Sequence, residues 1–178
     1  MSWLDELRRI VRQYIDPQRY DWRPTVDPIP SGQAQIIATY GRPPVWDGQR
    51  KKWVEGFHGV VLSASRIPGY DRRLYIHKLV APHFCEAMRL AVDACPDYRF
   101  RRIGCYNPRK KRHSTDPDAE WSTHAWGIAL DINPDTNRAG TTGDLPEGVV
   151  NAFERVGFRW GGRWKRRDPM HFQLARGY

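Results

Sequence analysis

The stretch STHAWGIALDIN, Ser122 to Asn133, sets His124 and Asp131 at two ends of a mostly apolar segment, and RDPMHF near the C-terminus sets Asp168 three positions ahead of His171. Imidazoles and carboxylates are the donors that hold a catalytic zinc ion, which takes three protein ligands and keeps a fourth position for water. Two histidines and two aspartates give that count with one carboxylate to spare. The spare group would take a proton from the bound water and return it to a leaving amine, while the metal polarises the attacked carbonyl. Residue type does not say which carboxylate is the spare. The remaining histidines, His58, His77, His83 and His113, read as surface or hydrogen-bonded core residues.

These side chains converge only if the flanking elements bring them together. Ile128 to Ile132 is β-like, and Phe158 to Leu174 reads as a strand, a Gly161-Gly162 turn and a second strand. Strict alternation would put Asp168 and His171 on opposite faces, so an irregularity is expected at Pro169, which cannot donate to a ladder. Asp131 is expected at a sheet edge, with Gly127 allowing a turn before it and Ala129 leaving room for a neighbour. Trp126, Trp160 and Trp164 could line a cleft, although tryptophans beside glycines are more often packing residues. Earlier strands are expected over Val60 to Ser65, Arg73 to His77 and Arg99 to Tyr106. Helices are expected over Leu79 to Cys95, where Pro82 either kinks the helix or marks its first turn, and over Pro146 to Val156 with Gly157 just beyond. Ser2 to Ile15 reads as an amphipathic helix and residues 17–44 as a proline-rich arm with a short ordered piece over Gln35 to Thr39. Few helices around bunched strands give an α+β fold, a small antiparallel sheet with packed helices.

STHAWGIALDIN followed by GFRWGGRW and DPMHF resembles the M15 zinc peptidases. That group comprises D-alanyl-D-alanine carboxypeptidases and L-alanyl-D-glutamate endopeptidases, and it contains peptidoglycan-cleaving phage endolysins. Its pattern, S-x-H-x-x-G-x-A-x-D and then an acidic residue three before a second histidine, is filled by Ser122, His124, Gly127, Ala129 and Asp131, and by Asp168 and His171. The resemblance implies one Zn²⁺ per chain bound by His124, Asp131 and His171, with Asp168 as catalytic acid/base. Arg109, in CYNPR, matches an arginine that members carry upstream to hold the substrate carbonyl and its developing oxyanion, where fixed positive charge counts most. The plainer reading of Arg109 is the start of a solvated basic run. Ser122 either binds substrate or shapes the loop. The likeness runs from about Val60 to the C-terminus, and PSGQAQIIATYGRP looks like the lead-in some members carry. It implies a Hedgehog/D-Ala-D-Ala-peptidase-like zinc domain over 45–178, with the helix and arm of 1–44 packed on it.

Composition bounds the partners. The 178 residues carry 29 Lys plus Arg against 20 Asp plus Glu, a net +9 that favours polyanions such as nucleic acid, anionic lipid or an acidic wall. Three cysteines, Cys85, Cys95 and Cys105, read as reduced, since an odd count leaves one over and ten helical residues hold Cys85 and Cys95 roughly 15 Å apart. The N-terminus lacks the apolar run of a signal peptide and no later run reaches a membrane span. A protein made in the cytosol and acting on the wall once released is therefore expected, as for a phage-type endolysin, with peptidoglycan or its stem peptides as partner and a monomeric chain. A cytosolic D-Ala-D-Ala dipeptidase of the same family also fits. A nucleic-acid-binding protein would use Arg101, Arg102, Arg109, Lys110, Lys111, Arg112 and Lys165 to Arg167, but no helix-turn-helix or Cys-His finger spacing accompanies them. A non-catalytic zinc domain would close its fourth metal position and need no free Asp168.

Overall fold

The computed structural model describes residues 22–54, 59–62, 67–111 and 121–177. The helix expected over Ser2 to Ile15, together with His58, Arg112, His113 and the acidic residues Asp116, Asp118 and Glu120, lies outside them. The described elements run α1 (Gly32–Tyr40), β1 (Val45–Asp47), β2 (Lys52–Val54), β3 (Gly59–Leu62), β4 (Leu74–His77), α2 (Ala81–Ala94), β5 (Ile103–Gly104), β6 (Ala129–Ile132), α3 (Glu147–Arg155), β7 (Arg159–Trp160) and β8 (His171–Gln173). Two antiparallel ribbons, β1–β2 and β3–β4, accompany a four-stranded antiparallel sheet in the order β5-β6-β8-β7. The fold is α+β, and among the described residues no helix is long and apolar enough to cross a membrane.

Alternation along the two central strands gives the sheet two unlike faces. Leu130 pairs with Phe172 and Asp131 with His171, so one face carries Leu130, Ile132 and Phe172 while the other carries Asp131, His171 and Gln173. The apolar face packs on the helices. Phe172 meets the ring of Phe153 on α3 at 4.7 Å, and Phe153 in turn meets Phe84 on α2 at 6.4 Å. Phe84, Ala87, Met88 and Ala91 line the buried stripe of α2. Removing an aromatic such as Phe153 from this junction would cost about 3–5 kcal/mol. The polar face is thereby backed by a packed core and cannot shift independently of it.

Several elements differ from expectation for local reasons. Pro82 sits in the first turn of α2, where its missing N–H is no loss, so the helix is not kinked there. The strand expected over Arg99 to Tyr106 shrinks to β5, because the Asn133 side chain accepts from the N–H groups of Arg101 at 2.8 Å and Arg102 at 3.1 Å. A side chain has taken the donors a ladder would have used. The piece expected over Gln35 to Thr39 lies within the longer α1. The unanticipated β1–β2 hairpin turns on Asp47, whose Oδ1 accepts from the N–H groups of Gln49 and Arg50. β7 and β8 do pair, but through a connection spanning 161–170 that opens with a 3-10 turn, Gly161–Arg163, instead of a two-residue Gly-Gly turn. Asp131 is not at a sheet edge: β6 has neighbours on both sides. All three cysteines are free thiols.

The stretch 22–44 shares this core. Val26, Ile36 and Tyr40 are buried in it, Tyr40 donates its hydroxyl to Leu174 O at 2.8 Å, and the carbonyl of Gly41 accepts from the Trp126 indole at 2.9 Å.

Candidate metal centre

His124 stands on a 3-10 turn, Thr123–Trp126, whose start is capped by Ser122 Oγ accepting from His124 N at 3.4 Å. Gly127 ends the turn in the left-handed region, φ 67°, a conformation a residue with a Cβ adopts at a cost, and the chain then enters β6. Asp131 and His171 are direct cross-strand partners on β6 and β8. Three donor atoms converge: His124 Nε2, His171 Nδ1 and Asp131 Oδ1 stand 3.2 Å from one another along every side of a triangle. These residues form a group able to hold a metal ion.

The protons on the far sides of the rings decide what that triangle wants. His124 Nδ1 lies 2.6 Å from Cys105 O and His171 Nε2 lies 3.1 Å from Gln173 Oε1. Both oxygens can only accept, so those nitrogens donate, and each ring in its neutral form turns a bare lone pair toward the carboxylate. In that form three acceptors stand at hydrogen-bond distance with no hydrogen among them, an arrangement that a bound cation would satisfy. A tetrahedral ion with bonds of about 2.0–2.1 Å spaces its donors roughly 3.3 Å apart, so the triangle has the size a zinc ion needs. Burial pushes the Asp131 carboxyl up, yet the two adjacent imidazoles, when protonated, outweigh it through their charge and hydrogen bonds and hold the group well below the usual carboxylate range. Burial, with the Asp131 charge adding to it, pushes the Cys105 thiol well up, so it stays protonated and is no competing ligand.

A cavity of about 280 Å³ opens on His171 and is lined by Asp168, Arg109, Ser122 and Trp164, with Lys111, Thr123 and Gln173 completing the wall. Asp168 reaches it because β8 begins only at His171. The segment before it is a turn in which His171 N donates to Asp168 O at 3.0 Å, and Asp168 N donates to Gly161 O at 3.0 Å. Alternation therefore does not govern Asp168, and the irregularity expected at Pro169 is present. Gly161 makes the close approach possible, since a Cβ there would lie 2.5 Å from Asp168 O. Arg109 is brought alongside by backbone pairing: Ser122 N donates to Arg109 O at 3.1 Å and Asn107 N to His124 O at 3.0 Å.

Of the three tryptophans considered for a cleft, Trp164 lines it, its ring 5.3 Å from that of His171. Trp126 is fully buried core, and Trp160 packs on Phe172 while donating to Pro169 O at 2.8 Å. Sequence reasoning passed over Thr123 and Gln173, and read Lys111 only as part of the basic run. Gln173 had a signal, because a residue two beyond His171 on a strand shares its face. Thr123 had none, since nothing in its neighbourhood foretold which way a 3-10 turn would point it.

Residues 115–174 match the family model for D-alanyl-D-alanine carboxypeptidases of the M15 peptidase group. The matched segment contains Ser122, His124, Asp131, Asp168 and His171, while Arg109 and Lys111 precede it. No curated protein matches the chain.

Proposed function

We propose that this M15-type segment makes the chain a zinc-dependent peptidase that hydrolyses an amide bond in the peptidoglycan stem peptide, with one zinc held by His124, Asp131 and His171. The observation that carries the reading is the triangle of bare lone pairs beside a cavity containing a further carboxylate. Zinc there supplies Lewis acidity toward a carbonyl and lowers the pKa of a coordinated water. Asp168, left over once three ligands are assigned, takes up the proton released by the attacking water and returns it to the departing amine. Arg109 offers a fixed guanidinium where the carbonyl oxygen becomes negative. Ser122 caps the His124 turn and presents its hydroxyl at the cavity wall, within reach of a bound peptide. Trp164 flanks the His171 side of the cavity, its ring 5.3 Å from the imidazole.

The setting we infer is a phage-type endolysin acting on the wall. Arg138, Lys165, Arg166 and Arg167 are exposed, and Gly140 N donates to Arg167 O at 2.7 Å, which joins their two loops beside Asp168. Such a patch would draw the enzyme to an anionic wall.

The test is mass spectrometry of purified muropeptides incubated with the protein and with Asp168→Asn. New termini between L-alanine and D-glutamate identify an endopeptidase, and loss of a terminal D-alanine identifies a D,D-carboxypeptidase. Asparagine keeps the shape of Asp168 but cannot accept a proton, so the variant should retain zinc and its melting temperature and lose at least ~100-fold in turnover. Unchanged muropeptides with the zinc-loaded wild type would overturn the substrate, and near-normal turnover by Asp168→Asn would overturn the role of that residue.

A further inference from the structure

The two histidines of the centre are oriented by different means. His124 donates its outer N–H to a backbone carbonyl, Cys105 O, which no side-chain change removes. His171 donates its outer N–H to a side chain, Gln173 Oε1, at 3.1 Å. Gln173 is itself held. Its amide nitrogen donates to Ala175 O at 3.2 Å, and since that carbonyl can only accept, the amide oxygen must face the other way, toward His171. The same oxygen accepts from the Thr123 hydroxyl at 3.2 Å. Gln173 and Thr123 are both buried.

We propose that Gln173, steadied by Thr123, is a positioning residue that selects the metal-binding tautomer of His171. The proposal rests on the reading of His124, Asp131 and His171 as a metal centre. A neutral imidazole carries one N–H. With Gln173 Oε1 accepting at Nε2, the lone pair is at Nδ1 and points into the triangle. Without that acceptor, the alternative ring with hydrogen on Nδ1 becomes favoured, because Asp131 Oδ1 at 3.2 Å would accept it. Before a cation can bind, that ring must give up the hydrogen or move it, and affinity falls accordingly. Outer partners of metal-bound histidines are typically worth 10–100-fold in affinity.

Zinc affinity, measured by competition with a chromophoric chelator, and the His171 tautomer, read from two-bond ¹H–¹⁵N NMR couplings in the metal-free protein, test this on the whole chain. Metal-free wild type should show His171 as the Nε2–H form. Gln173→Leu should bind zinc about 10–100-fold more weakly and shift His171 toward Nδ1–H. Gln173→Glu, which keeps an acceptor and strengthens it, should bind at least as tightly as wild type, whereas a role limited to packing predicts that burying a charge weakens it like leucine. Thr123→Val should weaken binding less than Gln173→Leu does. An Nδ1–H ring in wild type, equal affinity for wild type and Gln173→Leu, or equal losses for the leucine and glutamate variants would each overturn the proposal. The wild-type NMR result stands even where a variant fails to fold. A wild type that binds no zinc at all would instead sink the metal centre.

Discussion

His83 and His124 are both buried imidazoles, and each donates its Nδ1–H to a backbone carbonyl, Val156 O at 2.7 Å and Cys105 O at 2.6 Å. They differ at the other nitrogen. His83 Nε2 accepts from the N–H groups of Thr25 at 3.1 Å and Val26 at 3.3 Å, so the ring ties the 22–30 stretch to α2 and to the end of α3. His124 Nε2 meets a second lone pair and a carboxylate. One histidine is saturated by its own chain, and the other, in its neutral form, turns its second nitrogen on a carboxylate and another imidazole. His77 falls on the saturated side, donating to Tyr40 O and accepting from Leu79 N, each at 3.2 Å. Burial alone thus separates nothing among these residues, whereas accounting for both ring nitrogens separates structure from site.

The largest effect that could break this contrast is on metal binding. Zinc in 100-fold excess over its dissociation constant should stabilise wild type by about 2.7 kcal/mol. His124→Ala should lose that increment and bind at least ~100-fold more weakly, because two donors cannot close the site. His83→Ala should melt earlier without zinc yet gain nearly the full increment when zinc is added. Calorimetric melts of the three proteins, with and without zinc, decide it. An undiminished increment in His124→Ala would remove the distinction between the two histidines.

The contrast also shows what could be read along the chain. The convergence of His124, Asp131 and His171, with Asp168 in the adjoining cavity, was legible because the pattern is local, with each side chain carried on a short segment of recognisable type. Two of the helices were legible from apolar periodicity, and α2 and α3 fall within a residue or two of where it put them. The clamp at His83 was not legible, since its partners are backbone groups far away in sequence that any residue type could provide. The early end of β5 was hidden for a related reason. Asn133 lies well beyond the strand and takes its N–H groups, and nothing local in Arg99 to Tyr106 reveals the competitor. Asp131 was placed at an edge because one segment cannot show that β8, the last strand in the chain, would pair with β6 and take it off the edge.

A smaller effect concerns stability in the absence of metal. Replacing His83 by alanine leaves the N–H groups of Thr25 and Val26 and the carbonyl of Val156 without that partner and opens space beneath Trp22, whose ring lies 5.5 Å from His83. Orphaned backbone groups cost about 1–3 kcal/mol each when they stay dry, and partial hydration of the arm reduces the total to about 2–4 kcal/mol. Denaturant unfolding of metal-free His83→Ala against wild type measures it. A change below about 0.5 kcal/mol, the range of an ordinary surface substitution, would mean the clamp holds nothing.

The smallest effect, and the sharpest test of saturation, is its pH dependence. Burial pushes the His83 imidazole below its ordinary 6.5, outweighing the Val156 carbonyl, which raises it. Protonation would set an Nε2–H against two N–H donors, so the folded state resists it. As pH falls through about 6.5 the unfolded chain therefore takes up a proton that the folded chain refuses, and stability declines until the lower folded pKa is reached. Asp131 enters later. Its carboxyl is held below the ordinary 3.8, so the stability it confers is present above that value and is lost only as pH falls from there toward the folded pKa. Between about pH 8 and about pH 4.5, wild type should lose stability more steeply than His83→Ala, while the remaining histidines contribute equally to both. Denaturant midpoints of the two metal-free proteins across that range provide the comparison. Parallel curves would show that His83 titrates alike folded and unfolded, and a ring that titrates freely is not one whose second nitrogen is already taken.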